Sequence, residues 1–150
     1  MEKGDNGLTE AVIYEFYSDS GIYVFGGGAE RPKHKIDKAA QRNNGRPISI
    51  HKGQALIVSM DGSSGAMQVI PSGEFTANHH ALILYPYVTD FELYWFKQQI
   101  EQDLKDLASN KGASATLTMP QTNNAAIRVP SKATRKTVNR YRMNLEDIIN

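Results

Sequence analysis

The sequence contains no cysteine, and this absence excludes two classes of protein. A chain without thiols cannot form a disulfide framework and cannot bind zinc through thiolates. It fits a reducing compartment, so we expect a cytoplasmic protein. The chain also lacks any apolar run near the roughly 20 residues that a membrane-spanning helix requires. Its N-terminal segment is polar and does not resemble a signal peptide, so we expect no membrane association.

Motifs typical of catalysis are also missing from the sequence. No H-x-x-x-H or H-E-x-x-H spacing occurs, and His79 and His80, if they lie on a strand, point to opposite faces and cannot easily share a metal. Ser63 and Ser64 lie in G-S-S-G rather than in the G-x-S-x-G of a nucleophile elbow. The glycines at 26–28 are not followed by the Lys-Ser/Thr of a phosphate-binding loop. We therefore expect no catalytic residues, no metal and no cofactor.

The charge is nearly balanced overall, with a net value of +1, but it is segregated along the chain. Residues 31–52 carry seven basic residues and one acid, and residues 128–142 carry six basic residues and no acid. A near-neutral protein with two such blocks can have a positive face, which is typical of proteins that bind polyanions. The alternative is two solvated basic segments with no ligand, and charge alone leaves both interpretations open.

Short apolar runs separated by Gly, Pro, Ser and Asp dominate the centre of the sequence. Such runs are typical of antiparallel strands joined by turns, and they predict three strands at 54–59, 66–70 and 81–87. Elsewhere, β-branched and aromatic residues predict a hairpin and two short strands at 10–25, 47–51 and 125–129. Between these strands, a long basic loop is predicted at 26–46, with a turn or two of helix within it at 36–41. A turn is predicted at 120–124.

One long amphipathic helix is predicted at residues 89–109. Its apolar residues recur at spacings of three and four, and T-x-x-E at Thr89 and Glu92 forms a capping box. The aromatic residues on this helix indicate core packing rather than a ligand pocket. The predicted fold class is α+β, a largely antiparallel twisted sheet or partial barrel with this helix packed on it. We expect one domain at 1–131, followed by a basic tail or short helix at 132–150.

The order of these features resembles the target recognition domains of type I restriction–modification specificity subunits and of related modification enzymes. The likeness covers residues 47–131, and its weight lies in the order of short motifs. The matching segments are 52–58, 59–65, 77–78, 81–84, 91–100, 111–114 and 127–131. Members of this family continue into a long helix that forms a coiled coil. The 19 residues after 131 are too few for that helix, so its spacer role is not carried over.

The resemblance implies sequence-specific binding to double-stranded DNA by a non-catalytic specificity component. Catalysis would then belong to partner methyltransferase and nuclease subunits, and the methyltransferase would flip the target adenine out of the duplex.

Loop residues with directional or charged donors are the candidate DNA contacts. For phosphates these are Lys33, Lys35, Arg42, Arg46 and Lys111, with Arg135 and Lys136 in the tail. For bases they are Asn43, Asn44, Ser63, Ser64, Asn78, His79, Asn110, Ser114 and Gln121. We expect the loops that carry them, at 31–46, 61–65, 71–79 and 110–114, to share one face of the domain.

Two other functions fit parts of the sequence. A small metal-dependent nuclease could be built on Asp61, Glu74 and Lys52, provided that the two carboxylates converge on one metal. A protein-interaction module could present the 89–109 helix or the basic tail to a partner.

Overall fold

The structure is a computed structural model that describes residues 1–28, 32, 34–85, 93–109 and 116–123. The described ranges contain eight strands and three helices, and seven of the strands follow one another between the first and second helices. In order these are β1 (Glu2–Lys3), α1 (Glu10–Glu15), β2 (Tyr17–Phe25), β3 (Lys35–Ile36), β4 (His51–Lys52), β5 (Ala55–Ser59), β6 (Met67–Ile70), β7 (Glu74–Ala77), β8 (Ala81–Leu84), α2 (Leu93–Ser109) and α3 (Met119–Asn123).

The first sheet has the strand order β1-β8-β5-β6, and all of its neighbouring pairs are antiparallel. Its central strand, β5, is buried at all five positions. Successive side chains on a strand point to opposite faces, so a strand that is buried throughout is covered on both sides. This double burial explains why the sequence of β5 is an unbroken apolar run.

Helix α2 covers one face of the first sheet. Leu56 and Val58 of β5 share a hydrophobic core with Leu93, Ile100 and Leu104 of the helix. This packing confirms the predicted apolar stripe, although Leu107 at its end is 37% exposed. Trp95 is also buried in this core, as predicted for the aromatic residues of the helix. The predicted capping box lies outside the described residues.

The second sheet has the order β3-β2-β7-β4 and contains one parallel pair, β2 with β7. It covers the other face of the first sheet, where Phe25 and Phe75 pack against Ala55 and Ile57 of β5. A separate core joins α1 to this sheet through Val12, Ile22 and Ile36, among others. The molecule is therefore layered as helix, sheet and sheet. The predicted α+β class with largely antiparallel pairing is confirmed.

The prediction of a hairpin at 10–25 was wrong, because residues 10–15 form helix α1. Thr9 caps this helix by accepting a hydrogen bond from the Val12 N–H at 3.4 Å, and Val12 and Ile13 are buried. Strand β2 then continues through the predicted turn at 18–21. Gly21 allows this continuation because a side chain there would meet the Ile36 carbonyl oxygen at 2.2 Å.

Several other elements differ from their predictions. Residues 36–41 contain the end of β3 and a turn rather than helix, and residues 119–123 form helix α3 rather than a turn. The strand predicted at 47–51 is displaced to β4, and strand β7 had no counterpart in the prediction. The strand predicted at 125–129 and the proposed tail lie outside the described residues. Across the described ranges, no helix combines the length and apolar character needed to cross a membrane.

Candidate nucleic-acid interface

Three loops meet at the end of the first sheet where β5 stops and β8 begins. A methyl group added to Gly27 would lie 2.8 Å from Asp61 Oδ1 and 3.1 Å from His80 Cβ. A methyl group added to Gly26 would lie 3.0 Å from Asn78 Nδ2. The chain approaches its neighbours this closely because glycine has no side chain. We call residues 26–28, 61–62 and 78–80 the loop cluster.

Hydrogen bonds fix the conformation of the loop cluster. Asn78 Oδ1 accepts from the His80 N–H at 3.0 Å, which closes the 78–80 turn in the way typical of asparagine. The Asn78 N–H donates to the Phe25 carbonyl at 2.9 Å. Gln68 Nε2 donates to the Gly28 carbonyl at 3.1 Å. These bonds hold a group of polar side chains on ordered backbone.

The two adjacent histidines of the loop cluster lie side by side. Their ring centroids are 3.8 Å apart. Residues 79 and 80 lie in a turn rather than on a strand, so the condition under which the two rings would point to opposite faces is not met. His80 Nδ1 lies 2.8 Å from Asp61 Oδ2. Partial burial lowers the pKa of His79, and the charges of His80 and Lys3 lower it further, against the opposing effect of Asp61. These effects favour the neutral form of the His79 ring, which can both donate and accept hydrogen bonds.

The 42–46 turn carries three exposed polar candidates. The N–H of Arg42 donates to the Arg46 carbonyl at 2.8 Å, and Asn44 Oδ1 accepts from the Arg46 N–H at 3.1 Å. Gly45 adopts a positive φ of 75°, which completes the tight reversal. Asn43, Asn44 and Arg46 are exposed. Their side chains are therefore displayed on a turn whose backbone is fixed.

Arg42 has a different environment from its neighbours in this turn. Its Nε and Nη2 atoms each lie 2.8 Å from Asp5 Oδ2, and Nη2 also donates to Ser49 Oγ at 3.0 Å. The Asp5 side chain is only 2% exposed. Burial would raise the pKa of Asp5, but the N–H groups of Ser49 and Gly7 and the Arg42 guanidinium outweigh it and hold the pKa below its ordinary value. Arg42 thus anchors the turn.

Asp5 also connects the 42–46 turn to the loop cluster. Its backbone N–H donates to the Ala77 carbonyl at 2.7 Å, and Asp5 forms an isolated parallel bridge with Asn78. One buried residue therefore contacts both the base of the 42–46 turn and the start of the 78–80 turn. Through Asp5 the structure links Arg42, at the base of the turn that carries Asn43, Asn44 and Arg46, to Asn78.

Other predicted loops lie at the opposite end of the first sheet. The Gly53 N–H donates to the Gly73 carbonyl at 2.9 Å, which places the 71–73 turn at the start of β5. Lys38 forms an ion pair with Glu74 at this same end. The five residues of β5 separate this end from Asp61 by about 16 Å. The expectation that all of residues 71–79 share one face with residues 61–65 was therefore wrong for 71–73.

The remaining candidates are the two serines of the β5–β6 turn, two residues that are hydrogen-bonded elsewhere, and residues outside the described ranges. Ser63 is exposed in the β5–β6 turn, whereas Ser64 Oγ donates to the Met60 carbonyl at 2.9 Å. Lys35 Nζ donates to the Asp19 carbonyl at 3.1 Å, and Gln121 Oε1 accepts from the Thr118 N–H at 2.9 Å as part of the α3 cap. The candidates outside the described residues are Lys33, Asn110, Lys111, Ser114, Arg135 and Lys136.

The carboxylates considered for a nuclease do not converge. Glu74 pairs with Lys38 and lies opposite Lys52 in the β4–β7 register, while Asp61 lies at the other end of β5 against His80. Within the described ranges, no group of three or more His, Asp or Glu side chains could hold a metal ion. The described residues therefore give the nuclease hypothesis no assembled site.

The fold is similar to that of two solved structures from type I restriction–modification systems. One similar structure is the S subunit of such a system from M. genitalium, with a TM-score of 0.55 and 17% identity over 99% of this chain and 37% of that one. A second comes from a study of complex assembly and conformational transition of the type I R-M system. Its TM-score is 0.63 at 15% identity, and the match covers 90% of this chain and 34% of that one.

The similarity at these identities shows the fold, and the predicted resemblance is confirmed at that level. This chain spans about a third of the length of the two structures that it matches. No protein-family profile and no curated protein sequence matches it.

Sequence reasoning missed the residues that position the candidate site. Asp5 lies in the polar N-terminal segment, and nothing in its local sequence indicates a buried carboxylate. The sequence predicts the three glycines at 26–28 only as the start of a long loop. Their contacts with Asp61, Asn78 and His80 depend on pairing between distant strands, which local sequence does not encode.

Proposed function

We propose that this chain is a target recognition domain that binds double-stranded DNA for a type I restriction–modification system and is not itself an enzyme. The observation that carries the proposal is the fold shared with structures of such systems over at least 90% of the chain. Methylation and cleavage would be performed by methyltransferase and nuclease subunits in the cytoplasm. The recognition domain would be residues 1–131, with residues 132–150 as a basic extension.

The two clusters of polar residues suggest how such a domain would divide its contacts. Asn43 and Asn44 can pair with adenine edges, and Asn78, His79 and Ser63 add further donors and acceptors. Arg46 and Lys35 supply positive charge for phosphates. Lys33, Asn110, Lys111, Ser114, Ser64 and Gln121 stay in the proposal as further contacts, and Arg42 combines any phosphate contact with its anchoring role.

A salt titration of duplex binding with one charge removed tests this proposal. Each phosphate contact contributes about 0.9 to the slope of log K against log salt. Arg46→Ala should weaken all duplexes similarly and reduce the slope by about one, because Arg46 is exposed in the 42–46 turn. Lys38→Ala is the matched control, because this lysine pairs with Glu74 at the opposite end of the sheet. Its slope should equal that of the unmodified chain.

Selection of binding sites from random duplexes at near-physiological salt extends the test to sequence specificity. A preferred half-site of a few base pairs supports recognition by the 42–46 turn and the loop cluster. A flat salt dependence with no preferred sequence contradicts the proposal. Copurification of such a non-binding chain with another protein would instead support the interaction-module hypothesis.

A further inference from the structure

A pocket of about 460 Å³ lies between the second sheet, β6 and helix α2. Tyr23 and Phe25 of β2 line it together with Met67, Gln68 and Val69 of β6. The helix contributes Tyr94 and Lys97, which are three residues apart and so lie on one helix face. The volume is within the range of sites that hold small organic ligands.

Aromatic rings and positive charge occur together at this pocket. Tyr23 is 47% exposed and Tyr94 is 37% exposed. Lys97 is the basic residue of the lining, and outside the lining Lys35 Nζ lies 4.8 Å from the centroid of the Tyr23 ring. Phe25 is buried and packs edge-on against Phe75, with ring centroids 5.8 Å apart. The pocket thus combines a buried aromatic wall with one lysine, Lys97, in its lining.

Gln68 adds directional hydrogen bonding to this lining. Its bond to the Gly28 carbonyl uses one amide hydrogen, and the side chain also carries a second N–H and a carbonyl oxygen. An amide can recognise the edge of a nucleobase, aromatic rings can stack on its face, and lysines can neutralise the attached phosphate. A ligand that satisfies all three features is a planar heterocycle that bears an anionic group.

We infer that this pocket binds a nucleotide whose base is unpaired. This inference goes beyond the proposed function, which concerns paired DNA read by the 42–46 turn and the loop cluster. The nucleotide could be free in solution or part of a single strand, because both present the same base and phosphate. Phe25 directly precedes Gly26, so the pocket adjoins the loop cluster along the chain.

Titrations of the full chain with two probes test the inference. One probe is a labelled single-stranded DNA of about eight nucleotides, followed by fluorescence anisotropy. The other is a set of deoxynucleoside 5′-monophosphates, followed by calorimetry. Tyr23→Ala and Lys97→Ala should each weaken binding by roughly tenfold, as expected when a stacking or phosphate contact is lost. Binding of the monophosphates identifies a site for free nucleotides, and binding of the oligonucleotide alone identifies a site for a strand.

Matched variants exclude general effects of charge or fold. Lys105→Ala is the control for Lys97→Ala, because both lysines lie within 4 Å of Glu101 on α2 but only Lys97 lines this pocket. Tyr14→Ala is the control for Tyr23→Ala, because Tyr14 lies on another element and is 60% exposed, compared with 47% for Tyr23. Controls within about twofold of the unmodified chain support the site. Failure of both probes, or equal losses in the controls, overturns it.

A parallel titration with duplex DNA separates this inference from the proposed function. Retained duplex binding in Tyr23→Ala and Lys97→Ala, with loss of the single-stranded probe, supports two distinct sites. Absence of duplex binding in the unmodified chain contradicts the proposed function alone, since the pocket is measured with its own probes.

Discussion

Asp5 joins three segments of the chain that are distant in sequence. Its carboxylate accepts from the N–H groups of Gly7 and Ser49 and from the Arg42 guanidinium. A buried carboxylate of this kind is stable only while its donors remain, because an unpaired charge in the interior is strongly unfavourable. The same contacts hold the base of the 42–46 turn, so stability and presentation of the proposed recognition residues depend on one side chain.

Replacing this carboxylate should destabilise the protein. We expect Asp5→Asn to lower the free energy of unfolding by about 2 to 4 kcal/mol, because Arg42 loses its charge partner. Because the folded pKa of Asp5 is lowered, its contribution is fully present above the ordinary pKa and disappears as the pH falls through the folded value. Urea unfolding at pH 7 measures the loss.

Asp37→Asn is the control for Asp5→Asn, since Asp37 is an exposed carboxylate that accepts a local hydrogen bond from the Ala39 N–H. Its effect should stay within about 1 kcal/mol. Equal effects of the two substitutions would contradict the role of Asp5 as a buried anchor.

His51 is a second residue whose environment controls stability. Its side chain is 10% exposed, stacks on Phe75 with ring centroids 5.4 Å apart, and has Nδ1 at 2.6 Å from the Tyr85 hydroxyl. Burial lowers the pKa of His51, against the opposing charges of Glu2 and Asp5. The folded protein therefore favours the neutral ring, while the unfolded chain takes up a proton near the ordinary pKa of about 6.5.

Acidification should consequently destabilise the fold in a window that begins near neutrality. Below about pH 6.5 the unfolded state binds more protons than the folded state. The free energy of unfolding therefore decreases as the pH is lowered, until the pH reaches the lowered pKa of His51. The lowered pKa of His79 acts in the same direction. Chemical denaturation between pH 7.5 and pH 5.5 measures the slope, and His51→Gln should flatten it. An unchanged slope in this variant would show that His51 titrates normally.

The sequence predicted the strands and the helix in which apolar residues recur with a regular period. Strands β5, β6 and β8 and helix α2 all coincide with apolar runs or stripes of the right period. Helix α1 was missed because its β-branched and aromatic residues favour a strand in isolation. The Thr9 cap and the burial of Val12 and Ile13 against the second sheet outweigh that preference.

The contact between the β5–β6 turn and helix α2 gives a prediction at the scale of elements. A side chain at Gly65 would need a φ of +85° and would place Cβ 2.5 Å from the Lys105 backbone nitrogen. We expect Gly65→Ala to cost about 3 kcal/mol or more, because backbone strain and a clash with the helix add. Differential scanning calorimetry measures the loss.

Gly73→Ala is the matched control for this contact. Gly73 has a similar φ of +98°, but a side chain there would meet nothing within 4 Å. Gly73→Ala should therefore lower the free energy of unfolding only through backbone strain, by about 1 to 2 kcal/mol. If the two variants lose the same stability, close packing of the turn on α2 contributes nothing.

At the scale of the molecule, the sequence predicted the fold class but not how the loops are distributed. Strand β5 is buried throughout within the helix–sheet–sheet layers, and a different set of turns lies at each of its ends. Residues 61–62 and 78–80 meet at one end, whereas residues 71–73 lie at the other. This separation follows from strand pairing such as the parallel contact of β2 with β7, which involves residues about 50 positions apart.

The proposed division at residue 131 gives a final prediction. Residues 132–150 carry five Lys or Arg residues and two acids, so their removal takes away positive charge. If the recognition domain is complete at 131, a chain of residues 1–131 should unfold at the same temperature as the full chain. Its affinity for duplex DNA should be lower and its salt slope smaller by one or more, because contacts to phosphate are lost. A large drop in unfolding temperature would instead place part of the folded core after residue 131. An unchanged affinity would show that the basic extension does not contact DNA, and phosphate binding would then depend on lysines and arginines within residues 1–131.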